Sequence, residues 1–271
     1  MEHPAFDVNR LRALRPRVHC ITNYVTARDC ANLLLAAGAQ PVMADDPMES
    51  AEITAAADAL VLNLGTPSSK KIDAMLSSGR QANEMGIPVV FDPVGVTASG
   101  MRRESAKRLL SQVRMSMIRG NAAEIRALTG EKTVSAGVDA PDGAINETDA
   151  CGLAARLAWM TGAAVLLTGE TDVLADGSRC TLIHNGHSVM SRITGTGCQL
   201  SALMGAFAAA SPRDSFAAAL EAACMMGLCG EIAAARMAPQ DGSASCAAYI
   251  IDAAYRMDTK TLREGARYEQ R

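Results

Sequence analysis

The sequence predicts a doubly wound α/β fold, with a mostly parallel sheet and an antiparallel edge, on three observations. Aliphatic or β-branched runs at 59–64, 88–92, 116–119 and 163–168 are of strand length, and each leads through Gly, Pro or Asn into helical periodicity. That is the pattern of strands buried on both faces and joined by helices. After Gly169 the alternation breaks, and 172–175 and 180–184, around Asp176-Gly177 and before Asn185-Gly186, read as antiparallel hairpins. From Gly197 onward the chain reads as nearly all helix.

In chain order, 17–22 is a short strand and 26–37 a helix closed by Gly38, where a left-handed residue is cheap. An extended piece at 41–44 and a short helix at 50–57 follow. The later strands alternate with helices at 70–85, 103–112, 122–129 and 148–160, so right-handed crossovers are expected. Helices at 199–209, 215–235 and 247–255 complete the chain, and the one long linker, rich in Gly, Ala, Asp and Pro, is 131–146. One domain over 1–271 is expected, with the charged tail 259–271 as a candidate flexible segment.

Composition narrows the function classes. With 271 residues, 49% of them apolar, and 26 Lys+Arg against 29 Asp+Glu for a net charge of −3, the chain is not of disordered type. It offers no basic patch and, at 3% aromatic residues, no stacking platform, so nucleic acid is not an expected partner. No uninterrupted apolar run approaches the roughly 20 residues of a membrane span. The start, Met1-Glu2-His3-Pro4, lacks a signal-peptide layout. A cytoplasmic protein without membrane contact is expected. The eight cysteines are dispersed without C-x-x-C spacing and, apart from Cys198, read as small buried hydrophobes.

Three turns after predicted strands stand out, because ligands collect at the carboxyl ends of parallel strands. Gly195-Thr196-Gly197-Cys198 opens a helix, where converging N–H groups and the helix dipole can hold an anion, although an ordinary tight turn fits the same residues. It lacks the third glycine of a dinucleotide fingerprint, and no Lys in the chain follows a Gly, so no Walker A loop can be written. Asp92, in Phe91-Asp92-Pro93-Val94-Gly95, is an acid at a strand end, placed to orient Mg²⁺ or its waters. Asn121 and Glu124 have capping-box spacing, which by itself accounts for both. His184-Asn185-Gly186-His187 reads as a surface hairpin turn without chemistry.

Taken together, VHCITNYV (18–25), PVMAD (41–45), LNLGT (62–66), FDPVG (91–95), IRGNAAEI (118–125), LTGETD (167–172) and ITGTGC (193–198) form a collinear set. In these seven motifs the chain resembles the hydroxyethylthiazole kinases of thiamine salvage, members of the ribokinase-like superfamily. The resemblance implies a three-layer αβα fold and ATP- and Mg²⁺-dependent phosphorylation of the primary alcohol of 4-methyl-5-(2-hydroxyethyl)thiazole. It implies ATP contacts from Arg119, Thr168, Asn121 and Gly197, with Asp92 and Glu124 organising the metal. It also implies thiazole contacts from Met43, Gly195 and Asn23, and Cys198 as the catalytic group where sister kinases of the superfamily carry an aspartate base. A homotrimer with sites at subunit boundaries follows from the same resemblance. The alternatives are a related kinase acting on hydroxymethylpyrimidine or a sugar, and a non-catalytic thiazole-binding protein.

Overall fold

The computed structural model describes residues 6–130 and 145–271. Nine strands make one sheet in the order β2-β1-β3-β4-β5-β6-β7-β8-β9. They are β1 (Arg17–Ile21), β2 (Gln40–Val42), β3 (Ala59–Asn63), β4 (Val89–Asp92), β5 (Met117–Asn121), β6 (Ala164–Thr168), β7 (Asp172–Ala175), β8 (Cys180–Ile183) and β9 (Tyr268–Gln270). From β2 to β6 every pairing is parallel, whereas β6 to β9 pair antiparallel. The predicted fold class holds, including the antiparallel edge.

Helices cover both faces. On one lie α1 (Val8–Leu14), α2 (Ala27–Ala37), α8 (Thr196–Ala210), α9 (Ser215–Arg236), α10 (Ser243–Arg256) and α11 (Thr259–Gly265). On the other lie α3 (Ser50–Ala55), α4 (Ser69–Met85), α5 (Gly100–Gln112), α6 (Ala122–Thr129) and α7 (Glu147–Thr161). The strands supply both cores by alternation: Val61 packs against α8, while Leu60 and Leu62 belong to the core on the α4 face. A side chain on Gly205 would meet Val61 and Val18, the former at 2.6 Å, so the glycine lets α8 lie directly on β1 and β3. The helix ends obey local chemistry. Ser68 accepts the Lys71 N–H to start α4, and Gly86 closes it in a left-handed conformation.

Several expectations need correction. The charged tail is not loose: it forms α11 and then β9, which pairs with β8. Short, charged segments of this kind carry little apolar periodicity, and long-range pairing alone orders them. The α9 helix is long and apolar enough to cross a membrane by length and composition, yet most of it is buried inside the protein as a core helix. Residues 184–187 are no surface hairpin, since no strand follows them. Asn185 accepts the Arg267 N–H at 2.7 Å and donates to the Gly265 carbonyl at 2.9 Å, so the segment is braced by the chain between α11 and β9. The linker 131–146 lies, except for its last two residues, outside the described residues.

Candidate active site

The carboxyl ends of β1, β3, β4, β5 and β6 converge on the first turn of α8, and polar side chains gather there inside an otherwise apolar sheet. Asn23 follows β1 and Asn63 ends β3, and two backbone donors fix how their amides point. Thr26 N–H donates to Asn23 Oδ1 at 3.1 Å and Gly65 N–H to Asn63 Oδ1 at 3.0 Å. Both Nδ2 groups must then donate. Asn23 Nδ2 reaches Asn63 Oδ1 at 3.0 Å and Cys198 Sγ at 3.3 Å. Asn63 Nδ2 reaches Asp92 Oδ2 at 2.8 Å and the same Sγ at 3.3 Å.

Asp92 is wholly buried at the end of β4. Besides Asn63, its carboxylate accepts from Ser201 Oγ at 2.8 Å and from the Val94 N–H at 3.1 Å, and Arg119 Nη1 stands 3.8 Å away. Burial pushes its pKa above the usual carboxylate range, against Arg119 and the hydrogen bonds from Ser201 and Val94. Nearby, Glu124 makes the full capping box with Asn121 that the spacing predicts. Its Oε1 also takes the Gly95 N–H at 2.9 Å, which ties the cap to the loop after Asp92. Asn121 is exposed at the rim, with its side-chain oxygen spent on the Glu124 N–H.

Arg119 lies along the turn of α8. Its Nη2 donates to Thr168 Oγ1 at 2.8 Å, and a Cβ on Gly197 would stand 2.3 Å from Nη1, so only glycine lets the guanidinium lie against this backbone. Gly195, the N-cap of α8, has φ +90°, and a Cβ there would meet Thr26 Cγ2 at 2.4 Å. Arg119, Thr168, Thr196 and Gly197 face a cavity of about 830 Å³ whose far walls include Asn185, Met190 and Met226. That size falls within the usual range for small-molecule sites. Asp172 also lines it, accepting the Gly169 N–H at 2.9 Å, and burial lifts its pKa to about 6.

Cys198 sits on the first turn of α8, between this cavity and Asn23. Burial, and then the neighbouring Asp92, push its pKa up, and together they outweigh the hydrogen bonds from Thr26, Asn63 and Asn23. Burial and Asp92 thus favour the thiol, against the place at a helix N-terminus after two glycines, which favours the thiolate. All eight cysteines are free; Cys151 and Cys180, half-buried, have their sulfurs 2.8 Å apart between α7 and β8.

The structure thus brings together Asn23, Asp92, Arg119, Asn121, Glu124, Thr168, Gly195, Gly197 and Cys198. Met43 stands apart at the sheet edge after β2, 38% exposed. Its turn is mounted from beneath: His19 Nε2 bonds the Ala44 carbonyl at 2.7 Å, and the buried Lys71 Nζ lies 3.4 Å from Asp45 while donating to the Thr22 carbonyl at 2.9 Å. Sequence reasoning missed Asn63, Ser201 and Asp172 as site residues. Asn63 had a usable signal, since it ends an aliphatic strand in the same way that Asp92 ends its own.

The model of the hydroxyethylthiazole kinase family matches residues 8–260. The chain belongs to this family. A curated hydroxyethylthiazole kinase of Ruminiclostridium cellulolyticum is 43% identical over 263 residues, covering 97% of this chain and 96% of the relative. Among solved structures, a hydroxyethylthiazole kinase protein from Pyrococcus horikoshii OT3 superposes with a TM-score of 0.88 at 34% identity, with 100% of both chains covered. A ribokinase-like superfamily protein from Enterococcus faecalis V583, at 13% identity and a TM-score of 0.61 over 94% of this chain and 92% of its own, shows the shared fold. The kinase is an enzyme of the transferase class with ATP as co-substrate.

Two features test the fit of the phosphates and their metal. Among the described residues Arg119 Nε is buried without a hydrogen-bond partner, beside the cavity, a donor suited to a phosphate oxygen. Among the described residues no group of three or more His, Cys, Asp or Glu could hold a metal. Asp92 and Glu124, already carrying protein hydrogen bonds, suit a Mg²⁺ ion held through waters and phosphate rather than in an all-protein cage.

Proposed function

We propose that the chain transfers the γ-phosphoryl group of ATP to the hydroxyl of 4-methyl-5-(2-hydroxyethyl)thiazole, giving the thiazole phosphate and ADP for thiamine synthesis. The observation that carries this reading is that the Asn23–Asn63–Asp92–Cys198 network adjoins the cavity across Arg119 and Gly197. One side of the α8 turn suits phosphates and the other side a small alcohol. Asp92 and Glu124 would hold Mg²⁺ through waters, and the ion would supply neutralisation of charge on the phosphate oxygens. Arg119, fixed by Thr168 and Asp92, presents its unspent N–H to the same region. The N–H groups of the α8 turn, from Gly195 to Cys198, add the positive end of a helix.

Cys198 holds the substrate hydroxyl near the turn, and its thiol leaves little room for an early proton abstraction. A loose phosphoryl-transfer transition state needs little base, so proton loss late in transfer is sufficient. Cys198→Ala is expected to lower kcat towards about 10²-fold, the lower part of what a general base contributes, while thiazole binding survives. Wild-type turnover by the alanine variant, measured by steady-state kinetics across neutral pH, would make Cys198 merely a small residue that fits the turn.

The exposure of Met43, together with that of Tyr24 and Met48, 80% and 93% exposed, supports a homotrimer in which each thiazole site lies at a subunit boundary. A cytoplasmic location belongs to the same reading. The deciding experiment measures ADP release from Mg·ATP against the thiazole alcohol, hydroxymethylpyrimidine and sugars, with the particle mass followed by light scattering. The thiazole alcohol is expected to give by far the highest kcat/KM, from a particle of three chains. Preferential turnover of the pyrimidine or a sugar, or full activity in a single chain, removes the corresponding part of the proposal.

A further inference from the structure

Two cysteines that the proposed reaction does not use stand against each other on the opposite face of the sheet from α8. Cys151 lies in the second turn of α7 and Cys180 opens β8, and Cys180 Sγ donates to Cys151 Sγ at 2.8 Å. Both are half-buried at the margin of the core on the α7 face, so small solutes can reach the pair. The other six cysteines are buried, and none of them is bonded to a second cysteine among the described residues. The expectation of small buried hydrophobes therefore fails for these two.

Regular elements hold the contact. Cys180 pairs with Ala175 across the β7–β8 hairpin, whose turn is closed by the Asp176 N–H on the Arg179 carbonyl at 3.0 Å and by Arg179 Nε on Asp176 Oδ2 at 2.8 Å. On its other edge the Cys180 carbonyl accepts the Arg271 N–H at 2.8 Å, and Arg271 Nη2 reaches Glu147 Oε2, in the first turn of α7, at 3.0 Å. Helix and strand are thus clasped around the two sulfurs. A hydrogen bond between thiols is weak, so the contact adds little to stability as it stands. What it supplies is proximity, because side chains that already touch can join without backbone movement.

We propose that Cys151 and Cys180 form an oxidation site, joined reversibly into a disulfide by a hydroperoxide. Burial first, and then Cys151, push the Cys180 thiol up to about 12, against Arg271. Cys180 therefore keeps its proton, and Cys151 is the attacking sulfur. Its thiolate attacks one peroxide oxygen: an S–O bond forms, the O–O bond breaks, and the departing oxygen takes up a proton and leaves as water or an alcohol. The Cys180 sulfur then attacks the sulfenic sulfur of Cys151. An S–S bond forms, the S–O bond breaks, and the oxygen leaves as water with the Cys180 proton. The two thiols lose two electrons and the peroxide gains them. Small thiols reverse the step, so the bond is transient in a reducing compartment. It staples α7 to the strand that runs on into Asn185, Gly186 and His187, part of the wall of the large cavity.

The experiment treats the folded chain with hydrogen peroxide, blocks the remaining thiols by alkylation and maps the peptides by mass spectrometry. The expected product is a peptide pair joined through Cys151 and Cys180, which separates on reduction with dithiothreitol. The unfolding midpoint of the oxidised chain should rise by roughly 5–10 °C, because the bond closes the chain from α7 through β6 and β7 to β8. In Cys180→Ser the sulfenic acid on Cys151 has no partner and is trapped by dimedone, whereas Cys151→Ser gives neither the cross-link nor the adduct. Both thiols unmodified in peroxide-treated wild type, a cross-link to any other cysteine instead, or an unchanged midpoint in the cross-linked chain overturns the proposal. If either variant does not fold, the wild-type peptide map and midpoint still decide.

Discussion

Asp92→Asn is expected to reduce kcat by about 10²–10³-fold while the protein stays folded, since removal of one electrostatic group aimed at a reacting centre typically costs that much. The carboxylate accepts from Asn63, Ser201 and Val94 and faces Arg119. An amide keeps one acceptor oxygen but turns an NH₂ group towards a donor, which costs about 1–3 kcal/mol. Against this, replacing a wholly buried carboxylate with a neutral group removes the desolvation that raises its pKa. The two effects oppose each other, so the unfolding midpoint should move by only roughly 2–4 °C. Glu124→Gln makes the informative contrast, because Glu124 closes a capping box and pins Gly95 as well as being a proposed metal carboxylate. A loss of stability with unchanged kcat in Glu124→Gln would reduce Glu124 to a cap and leave Asp92 as the sole metal carboxylate.

Gly195→Ala should be at least as damaging, with kcat/KM down by about 10²-fold or more and with measurable destabilisation of about 1–3 kcal/mol. Two penalties coincide: the φ of +90° is outside what an L side chain adopts cheaply, and the new Cβ overlaps Thr26. Since the Thr26 N–H holds Asn23 in place, pushing this contact apart disturbs the substrate side as well. Gly197→Ala meets only the movable end of Arg119, so it should raise the KM for ATP with little change in thermal unfolding. Kinetics and unfolding of both variants, together with Gly195→Ala/Thr26→Ala, which should recover part of the loss, separate the two cases. A Gly195→Ala enzyme with wild-type kinetics would show that the turn does not need its present shape.

The parallel part of the fold was legible because its strands are buried on both faces and announce themselves as aliphatic runs. Asp92 was reachable for the same reason, as an acid ending such a run, whereas Arg119 and Thr168 entered only through the family resemblance. What escaped depends on partners far away in sequence. Asn185 has no local pattern that reveals its bonds to Gly265 and Arg267, and β9 is a strand only because β8 is beside it. The tail failed as an expectation because high charge describes its surface, not its pairing.

The burial of α8 has a consequence for timing. Its first turn is the proposed anion site, and from Cys198 to Ala208 every residue is enclosed between the sheet, α2 and α9. Such a segment opens only when much of the domain opens with it, so its amide protons should exchange with solvent at rates near those of global unfolding. The first-turn donors proposed for phosphate are therefore mounted on a rigid helix, and little association energy would be consumed in ordering them. If the alcohol binds as proposed, adaptation to it falls to the exposed Met43 edge rather than to the enclosed helix.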